Sequence, residues 1–287
     1  MILVTGATGH VGRAVVGQLV SLGRDVAAMV RDVDIARERL PAGTVLRVAD
    51  YEDVSALKGA FGGIDELVLI SSDGEADTVM RHHANAIDAA AAAGIRHITF
   101  TSIIDIDERS PFYYAPVYRD AERRLERSGV PSTVLRCGLY FDFILDHWLE
   151  PSLVTGELAL PAREGRVAAV SRDDVARAVA AMTAEPGKVS GIHMLTGGQA
   201  PDFGEIAACY GKAINQQVRY RSCSAEEYMA SASAGFEDPW PQAFSSLCAS
   251  IAENRYSRVS RDFTTITGKE PESLRDFLRR LVPGSFV

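Results

Sequence analysis

Residues 1–31 read MILVTGATGHVGRAVVGQLVSLGRDVAAMVR, and this stretch decides the fold. The apolar run at 2–5 predicts a short strand, and the apolar positions that follow recur at helical spacing until Gly23. A second apolar run, VAAMV at 26–30, predicts another strand. The stretch therefore reads as strand, glycine turn, helix and strand, which is the start of a βαβ unit.

Three glycines in the turn have three different physical uses. Gly6 allows the tight turn, Gly9 lets a pyrophosphate approach the backbone, and Gly12 lets the helix pack close to the strand. The N–H groups at the start of the helix would face the phosphates. The turn therefore predicts dinucleotide binding, and the weaker alternative is a turn kept only for packing. The candidate contacts are Gly6, Thr8, Gly9, His10, Val11 and Gly12.

The end of the second strand distinguishes the two dinucleotides. An acidic residue there would accept a hydrogen bond from the ribose of NAD, whereas an arginine suits the 2′-phosphate of NADP. The strand ends in Arg31, whose guanidinium can bind a phosphate through two hydrogen bonds. We therefore expect NADP (as NADPH), while the neighbouring Asp32 keeps NAD possible.

Alternating apolar runs and helical segments continue beyond this unit. Further strands are predicted at 44–48, 67–72, 97–103, 130–136, 166–170 and 191–195, and helices at 33–40, 77–93, 118–128 and 171–183. The pattern predicts an α/β, Rossmann-type doubly wound parallel sheet with a smaller C-terminal α/β lobe. We expect the NAD(P)-binding domain at 1–138, with returning elements at about 166–195, and a mostly substrate-side lobe at 139–287.

Asp50 follows the third strand, where the carboxyl ends of parallel strands line a cofactor crevice. It is a candidate contact for the adenine amino group. The alternative is that Asp50 caps a helix before Glu52 and Asp53.

Composition excludes several classes of function. The net charge of −8 and pI near 5.3 argue against a general nucleic-acid surface. Four scattered cysteines without a C-x-x-C pair imply neither a disulfide framework nor zinc. His82 and His83 point about 100° apart on a helix, which disfavours a shared metal, so no metal site is expected.

The sequence also gives expectations for location and assembly. Only Met1 precedes the first strand and no apolar run approaches a membrane span, so we expect a cytoplasmic protein without a signal peptide. The predicted partner is a small-molecule acceptor, with the chain a monomer or a homodimer.

Aromatic residues concentrate at 139–148, after the sixth predicted strand. At helical spacing they are more often core than ligand pocket, yet at the carboxyl end of a sheet they would cover the nicotinamide side. The candidate substrate residues are Tyr140, Phe141, Phe143, His147, Trp148 and Trp240.

The order of these elements resembles the short-chain dehydrogenase/reductase superfamily, and within it the NmrA-like atypical branch. The most similar members are the type-2 NAD(P)H:quinone oxidoreductases and the triphenylmethane reductases. The resemblance covers nearly the whole chain and weakens beyond Pro201. It implies that Tyr51, Ser71, Ser72, Thr101 and Ser102 also bind the cofactor. The matching segments are 4–12, 30–32, 49–51, 69–72, 100–102, 128–131, 135–136 and 170–176.

The typical superfamily protonates a carbonyl with a Tyr-x-x-x-Lys pair, and this chain cannot form one. None of its four lysines has a tyrosine four residues before it, and Tyr118 is followed at that distance by Glu122. Direct hydride transfer to a quinone or a conjugated cation needs little acid assistance, so we expect an NAD(P)H-dependent reductase of such acceptors, with no catalytic residue assigned. Cys137 stands where the resembled quinone reductases carry asparagine, which leaves the acceptor open.

Two alternatives remain. NmrA-like proteins include non-catalytic redox sensors that bind NAD(P) and report its state to a protein partner, and the missing pair fits that function equally well. A reductase of flavins or dyes would share the mechanism and differ only in its acceptor.

Overall fold

The computed structural model describes residues 1–184, 190–282 and 285–286. The chain divides into two compact units. Unit 1 comprises Met1–Ser102, Pro116–Arg136 and Arg172–His193, and unit 2 comprises Ile103–Ala115, Cys137–Ser171 and Met194–Val287. The predicted domain boundaries at 138 and 139 stay a prediction.

Within the described residues, seven strands form one sheet. They are β1 (Ile2–Val4), β2 (Val26–Val30), β3 (Val45–Val48), β4 (Glu66–Leu69), β5 (His97–Ile103), β6 (Ser132–Cys137) and β8 (Gly191–Leu195). Their order in the sheet is β3-β2-β1-β4-β5-β6-β8, and the pairs β1–β2, β1–β4, β2–β3 and β4–β5 are parallel. The doubly wound α/β prediction is therefore confirmed.

Helices follow the strands as the sequence predicts. Unit 1 contains α1 (His10–Ser21), α2 (Val33–Arg39), α3 (Val54–Phe61), α4 (Ala76–Ala92), most of α5 (Ala115–Ser128) and α8 (Arg172–Ala184). Asp53, not Asp50, caps α3 by accepting a hydrogen bond from the Ala56 N–H, so the alternative role of Asp50 as that cap is wrong.

The order of the strands in the sheet reverses direction at β1, because β2 and β3 lie on one side of it and β4, β5, β6 and β8 lie on the other. In open parallel sheets the ligand crevice lies at the carboxyl ends of the strands at such a reversal. The glycine turn follows β1 directly, so the topology brings it to this position. Beneath it, apolar side chains such as Leu3, Leu67 and Phe100 are fully buried in the core of unit 1.

Unit 2 is mainly helical around its own apolar core. A parallel pair, β7 (Glu157–Leu160) with β9 (Arg219–Ser222), forms a second sheet that the sequence reading missed. Asp202 and Ser224 cap two helices of this unit, at 203–214 and 225–232, by accepting hydrogen bonds from the Glu205 and Glu227 N–H groups. The helical elements are α6 (Phe141–Ile144), a π-helical turn (Leu145–Leu149), α7 (Glu150–Ser152), α9 (Phe203–Ile214), α10 (Ala225–Ala232), α11 (Trp240–Ala252), α12 (Asp262–Thr267) and α13 (Leu274–Leu281).

The predicted strand at 166–170 is wrong. This segment forms only isolated bridges, from Arg166 to Asp202 and from Val170 to Tyr140. Its backbone N–H groups donate to three separate segments of unit 2, at the carbonyls of Pro201, Tyr256 and Leu139. An apolar, buried segment therefore exists here, but no single partner strand runs beside it.

Candidate functional site

The glycine turn contains two glycines that the structure distinguishes clearly. A Cβ on Gly12 would lie 2.1 Å from the Gly6 carbonyl oxygen, so packing requires glycine there. Gly9 has extended backbone angles, φ −75° and ψ 173°, and is exposed. Its Cβ would meet only the Gly6 oxygen, at 3.3 Å. Because Gly9 has no side chain, the space beside the turn stays open.

The N-terminus of α1 is open to an anion. Gly9 is its N-cap and provides no side-chain hydrogen bond, and the first turn carries no acidic residue. The N–H groups of His10, Val11 and Gly12 lie in the first turn, where an α-helix has no internal partners for them. Together with the helix dipole they fit a pyrophosphate.

Arg31 and Asp32 have different roles at the end of β2. The Arg31 side chain is 83% exposed, and its Nη1 lies 4.0 Å from Asp50 Oδ2. Asp32 accepts hydrogen bonds from the N–H groups of Asp34 and Ile35 and so caps α2. Asp50 accepts from the Glu52 N–H. The exposed guanidinium is thus available to a phosphate, while the acid beside it is committed to the helix.

Residues 70–72, which we call the serine loop, leave β4 at the same edge of the sheet. Hydroxyls of Thr5 and Thr101 accept hydrogen bonds from the N–H groups of Ile70 and Ser71, at 3.0 and 3.3 Å. The Tyr51 hydroxyl donates to the Ile70 carbonyl at 2.9 Å, and burial raises the pKa of Tyr51. Tyr51, Ser71 and Thr101 therefore belong to one hydrogen-bonded frame.

Two histidines of α4 complete this frame. His83 Nε2 lies 2.9 Å from Ser71 Oγ, and His82 Nδ1 lies 2.9 Å from Ser72 Oγ. From the sequence, His82 and His83 are considered only as metal ligands, and this hydrogen-bonding role is not among the predictions. Their helical spacing shows that they face different directions, but not which loop each one meets.

Glu122 lies four residues after Tyr118, which is the spacing of tyrosine and lysine in the Tyr-x-x-x-Lys pair. Its carboxylate accepts a 2.6 Å hydrogen bond from the Ser102 hydroxyl and pairs with both Nε and Nη2 of Arg136, at 3.0 and 2.6 Å. Ser102 is 2% exposed. The Ser102 hydroxyl hydrogen is therefore committed to Glu122, and Arg136 neutralises the carboxylate.

Cys137 ends β6 and is buried. Burial raises the pKa of its thiol to about 12, although a hydrogen bond with the Tyr140 side chain opposes the shift. The thiol stays neutral at physiological pH and is a poor nucleophile. In the part of the chain that the structure describes, no cysteine forms a disulfide.

Partly exposed rings from two segments of unit 2 pack around the buried Phe244 in what we call the aromatic cluster. Ring centroids are 4.7 Å apart for Phe143 and His147, 5.3 Å for His147 and Phe244, and 5.7 Å for Trp240 and Phe244. Phe236 packs at 5.8 Å from His147. Phe143, His147 and Trp240 are among the predicted substrate residues, whereas Phe236 and Phe244 are not.

The remaining predicted substrate residues are placed differently. Phe141 and Trp148 are only 4% and 3% exposed and lie in the core of unit 2. The Trp148 indole N–H donates to the Tyr228 hydroxyl at 3.2 Å. Tyr140 is half-buried beside Cys137. Phe141 and Trp148 can reach a ligand only if the core opens.

Comparison with known families identifies the protein family that carries this glycine turn. Residues 6–186 match a family described as NAD(P)H-binding. The chain belongs to this NAD(P)H-binding family. The predicted NAD(P) cofactor is therefore confirmed at the level of NAD(P)H, and the exposed turn, the open start of α1 and Arg31 fit it.

Individual members of the NAD(P)H-binding family agree with the resemblance read from the motifs, which is confirmed. Quinone oxidoreductase 2 of Escherichia coli strain K12 is 34% identical over 80% of each chain. The crystal structure of the NADPH-dependent quinone oxidoreductase of Escherichia coli, complexed with NADPH, has a TM-score of 0.91 at 30% identity, covering 98% of this chain and 99% of the other. The triphenylmethane reductase of Citrobacter sp., complexed with NADP(H), has a TM-score of 0.89 at 28% identity with the same coverage.

Within residues 1–184, 190–282 and 285–286, no helix has the length and apolar character needed to span a membrane. No group of three or more His, Cys, Asp or Glu side chains in those residues has the arrangement of a metal site.

Proposed function

We propose that this protein is an NAD(P)H-dependent reductase that transfers hydride directly to a quinone-like or conjugated acceptor. The observation that carries the proposal is the state of Glu122, which follows Tyr118 by four residues, where a Tyr-x-x-x-Lys pair would need a lysine, and which is bound to Ser102 and Arg136. Family membership and the reductases among its relatives support the same activity.

The chain's own residues would bind and orient the cofactor. The N–H groups at the start of α1 would hold the pyrophosphate, with Gly9 giving the phosphates access to the backbone. Arg31 would bind a 2′-phosphate, which favours NADPH over NADH. When bound, the cofactor supplies a hydride, and the protein is left to position the acceptor and exclude water.

The acceptor would bind through the aromatic cluster. Phe143, His147 and Trp240 are partly exposed. Phe143 packs edge to face against Phe244, and the rings of His147 and Trp240 pack against Phe244 at tilted angles, which holds all three in place. Such a surface suits a flat, delocalised molecule. Charge on a reduced quinone is delocalised, so water can deliver the proton and no side-chain acid is required.

The test follows NADPH oxidation by absorbance with a panel of quinones and a cationic triphenylmethane dye, with NADH in parallel. Saturable turnover with at least one acceptor is the expected result. Equal or NADH-favouring kcat/KM values would contradict the NADPH preference without contradicting the reductase.

A non-catalytic redox sensor is the alternative, and no contact described above favours it. Tight cofactor binding without turnover of any acceptor would replace the reductase proposal with this one. The search would then move to a protein partner.

A small-molecule acceptor, a cytoplasmic location and the absence of a nucleic-acid partner remain part of the proposal. The net charge of −8 supports the last of these. Whether the chain is a monomer or a homodimer would be measured by sedimentation.

A further inference from the structure

Adjacent histidines of α4 hold adjacent serines of the serine loop. His83 uses Nε2 to contact Ser71 Oγ, whereas His82 uses Nδ1 to contact Ser72 Oγ, and both distances are 2.9 Å. Each serine thus has its own histidine, and each contact uses a different ring nitrogen. The loop cannot shift relative to α4 without breaking both contacts.

The direction of the His83 hydrogen bond follows from the neighbours of Ser71. The Ser71 hydroxyl donates to the Ser72 carbonyl at 3.0 Å, so its hydrogen is used and His83 Nε2–H donates to the Ser71 oxygen. His83 is 1% exposed, and burial lowers its pKa to about 4. The ring is therefore neutral near pH 7, with its single N–H committed to Ser71.

His82 is held from two other sides. Its Nε2 is buried without a hydrogen-bond partner and lies 3.6 Å from Glu52 Oε1. Its ring stacks on Tyr51, with centroids 5.3 Å apart, and the Tyr51 hydroxyl bonds the Ile70 carbonyl. An N–H on Nε2 would face Glu52, which leaves Nδ1 to accept from the Ser72 hydroxyl.

The serine loop lies directly beside the glycine turn. A Cβ added at Gly6 would lie 3.4 Å from the Ile70 Cβ, so the turn and the loop are adjacent, with room for no more than a methyl group at this point. We propose that His82 and His83 are positioning residues that fix the serine loop as a preformed wall of the dinucleotide site. This inference rests on the proposed NAD(P)H-dependent function.

The experiment measures NADPH dissociation constants by fluorescence for two crossed sets of variants. His82→Leu and His83→Leu remove the contacts and should each weaken NADPH binding about tenfold. In place of histidine, asparagine puts its side-chain amide near the position of the ring Nδ1, and glutamine puts its amide near the position of the ring Nε2. His82→Asn and His83→Gln should therefore restore binding to within about threefold of wild type, whereas His82→Gln and His83→Asn should not. The KM for NADPH should follow the same pattern while kcat stays unchanged.

His97→Leu is the matched control. His97 Nε2 makes an equally long 2.9 Å contact with Thr133 Oγ1, but at the amino end of β5, on the opposite edge of the sheet. It should change thermal stability and leave NADPH binding unchanged.

Three results would overturn the inference: unchanged binding in both leucine variants, no rescue by the matching amides, or an equal loss in His97→Leu. Wild-type protein that binds neither NADPH nor NADH would overturn the proposed function as well, so the two failures are distinguishable.

Discussion

The glycine turn of unit 1 takes its backbone from residues 6–12, whereas the aromatic cluster of unit 2 combines residues 143–147 with residues 236–244. In the turn, backbone groups and the absence of side chains would form the proposed dinucleotide site. In the cluster, the side chains themselves are the surface. Single changes should therefore act sharply on the turn and more gradually on the cluster, where several rings share each contact.

The largest expected effect is that of Gly12→Ala. The new methyl would lie 2.1 Å from the Gly6 oxygen, so the turn and α1 must separate. We expect a loss of about 3 kcal/mol or more in the free energy of unfolding, measured by urea denaturation. Wild-type stability in this variant would show that the turn is less tightly packed than the cluster.

A pH titration tests the buried frame next to the turn. The pKa of His83 is lowered from 6.5 to about 4, so protons bind the unfolded state more strongly. The associated stability is complete above about pH 6.5 and is lost as pH falls toward 4, by about 3 kcal/mol in total. The free energies of unfolding of wild type and His83→Gln should converge as the pH falls through this window. Parallel curves of unfolding free energy against pH would contradict the lowered pKa of His83.

Gly9→Ala separates binding from packing at the turn. Alanine adopts φ −75° and ψ 173° without strain, and its methyl meets only the Gly6 oxygen at 3.3 Å. Stability should change by less than about 1 kcal/mol, while NADPH binding weakens roughly thirtyfold because the methyl stands in the way of the pyrophosphate. Unchanged affinity would mean that the phosphates bind elsewhere.

Arg31→Ala tests cofactor choice. Removing the exposed guanidinium should weaken NADPH binding about tenfold and leave NADH binding within about twofold, because NADH lacks the 2′-phosphate. Titration with both cofactors measures the two constants. Equal losses for both would assign Arg31 to another part of the dinucleotide.

Phe143→Leu should give the smallest effect. Its ring contacts those of His147, Trp148 and Phe244, which would keep most of the cluster in place. We expect the KM for a quinone to rise about threefold to fivefold, with the NADPH dissociation constant unchanged. Phe286→Leu, an aromatic change in unit 2 outside the cluster, is the control, and an equal effect there would remove the cluster from the acceptor site.

The difference between turn and cluster also explains what could be predicted from the sequence. The glycine turn, the strands beside it and the caps Asp202 and Ser224 depend on local residue order, so their positions were predictable. The segment 166–170 has the composition of a strand, but its partners come from three distant segments. The pair β7–β9 was missed because ELAL and RYRS are short and carry charges.

The site divides in the same way. The proposed cofactor contacts of Gly9 and Arg31 could be predicted from the sequence, because they depend on the spacing of neighbouring residues. Pairings of α4 with the serine loop, and of Glu122 with Ser102 and Arg136, depend on how elements pack. No local sequence pattern shows which hydroxyl group a helical side chain will contact.

The Ser102–Glu122–Arg136 arrangement constrains how this sequence could evolve toward carbonyl reduction. Replacing Glu122 with lysine alone would place two cations side by side and leave the Ser102 hydroxyl without its acceptor. A change at Arg136 would have to come first or together with it. A lysine at position 122 therefore requires a second substitution at Arg136, so this step toward a Tyr-x-x-x-Lys pair cannot be taken one residue at a time.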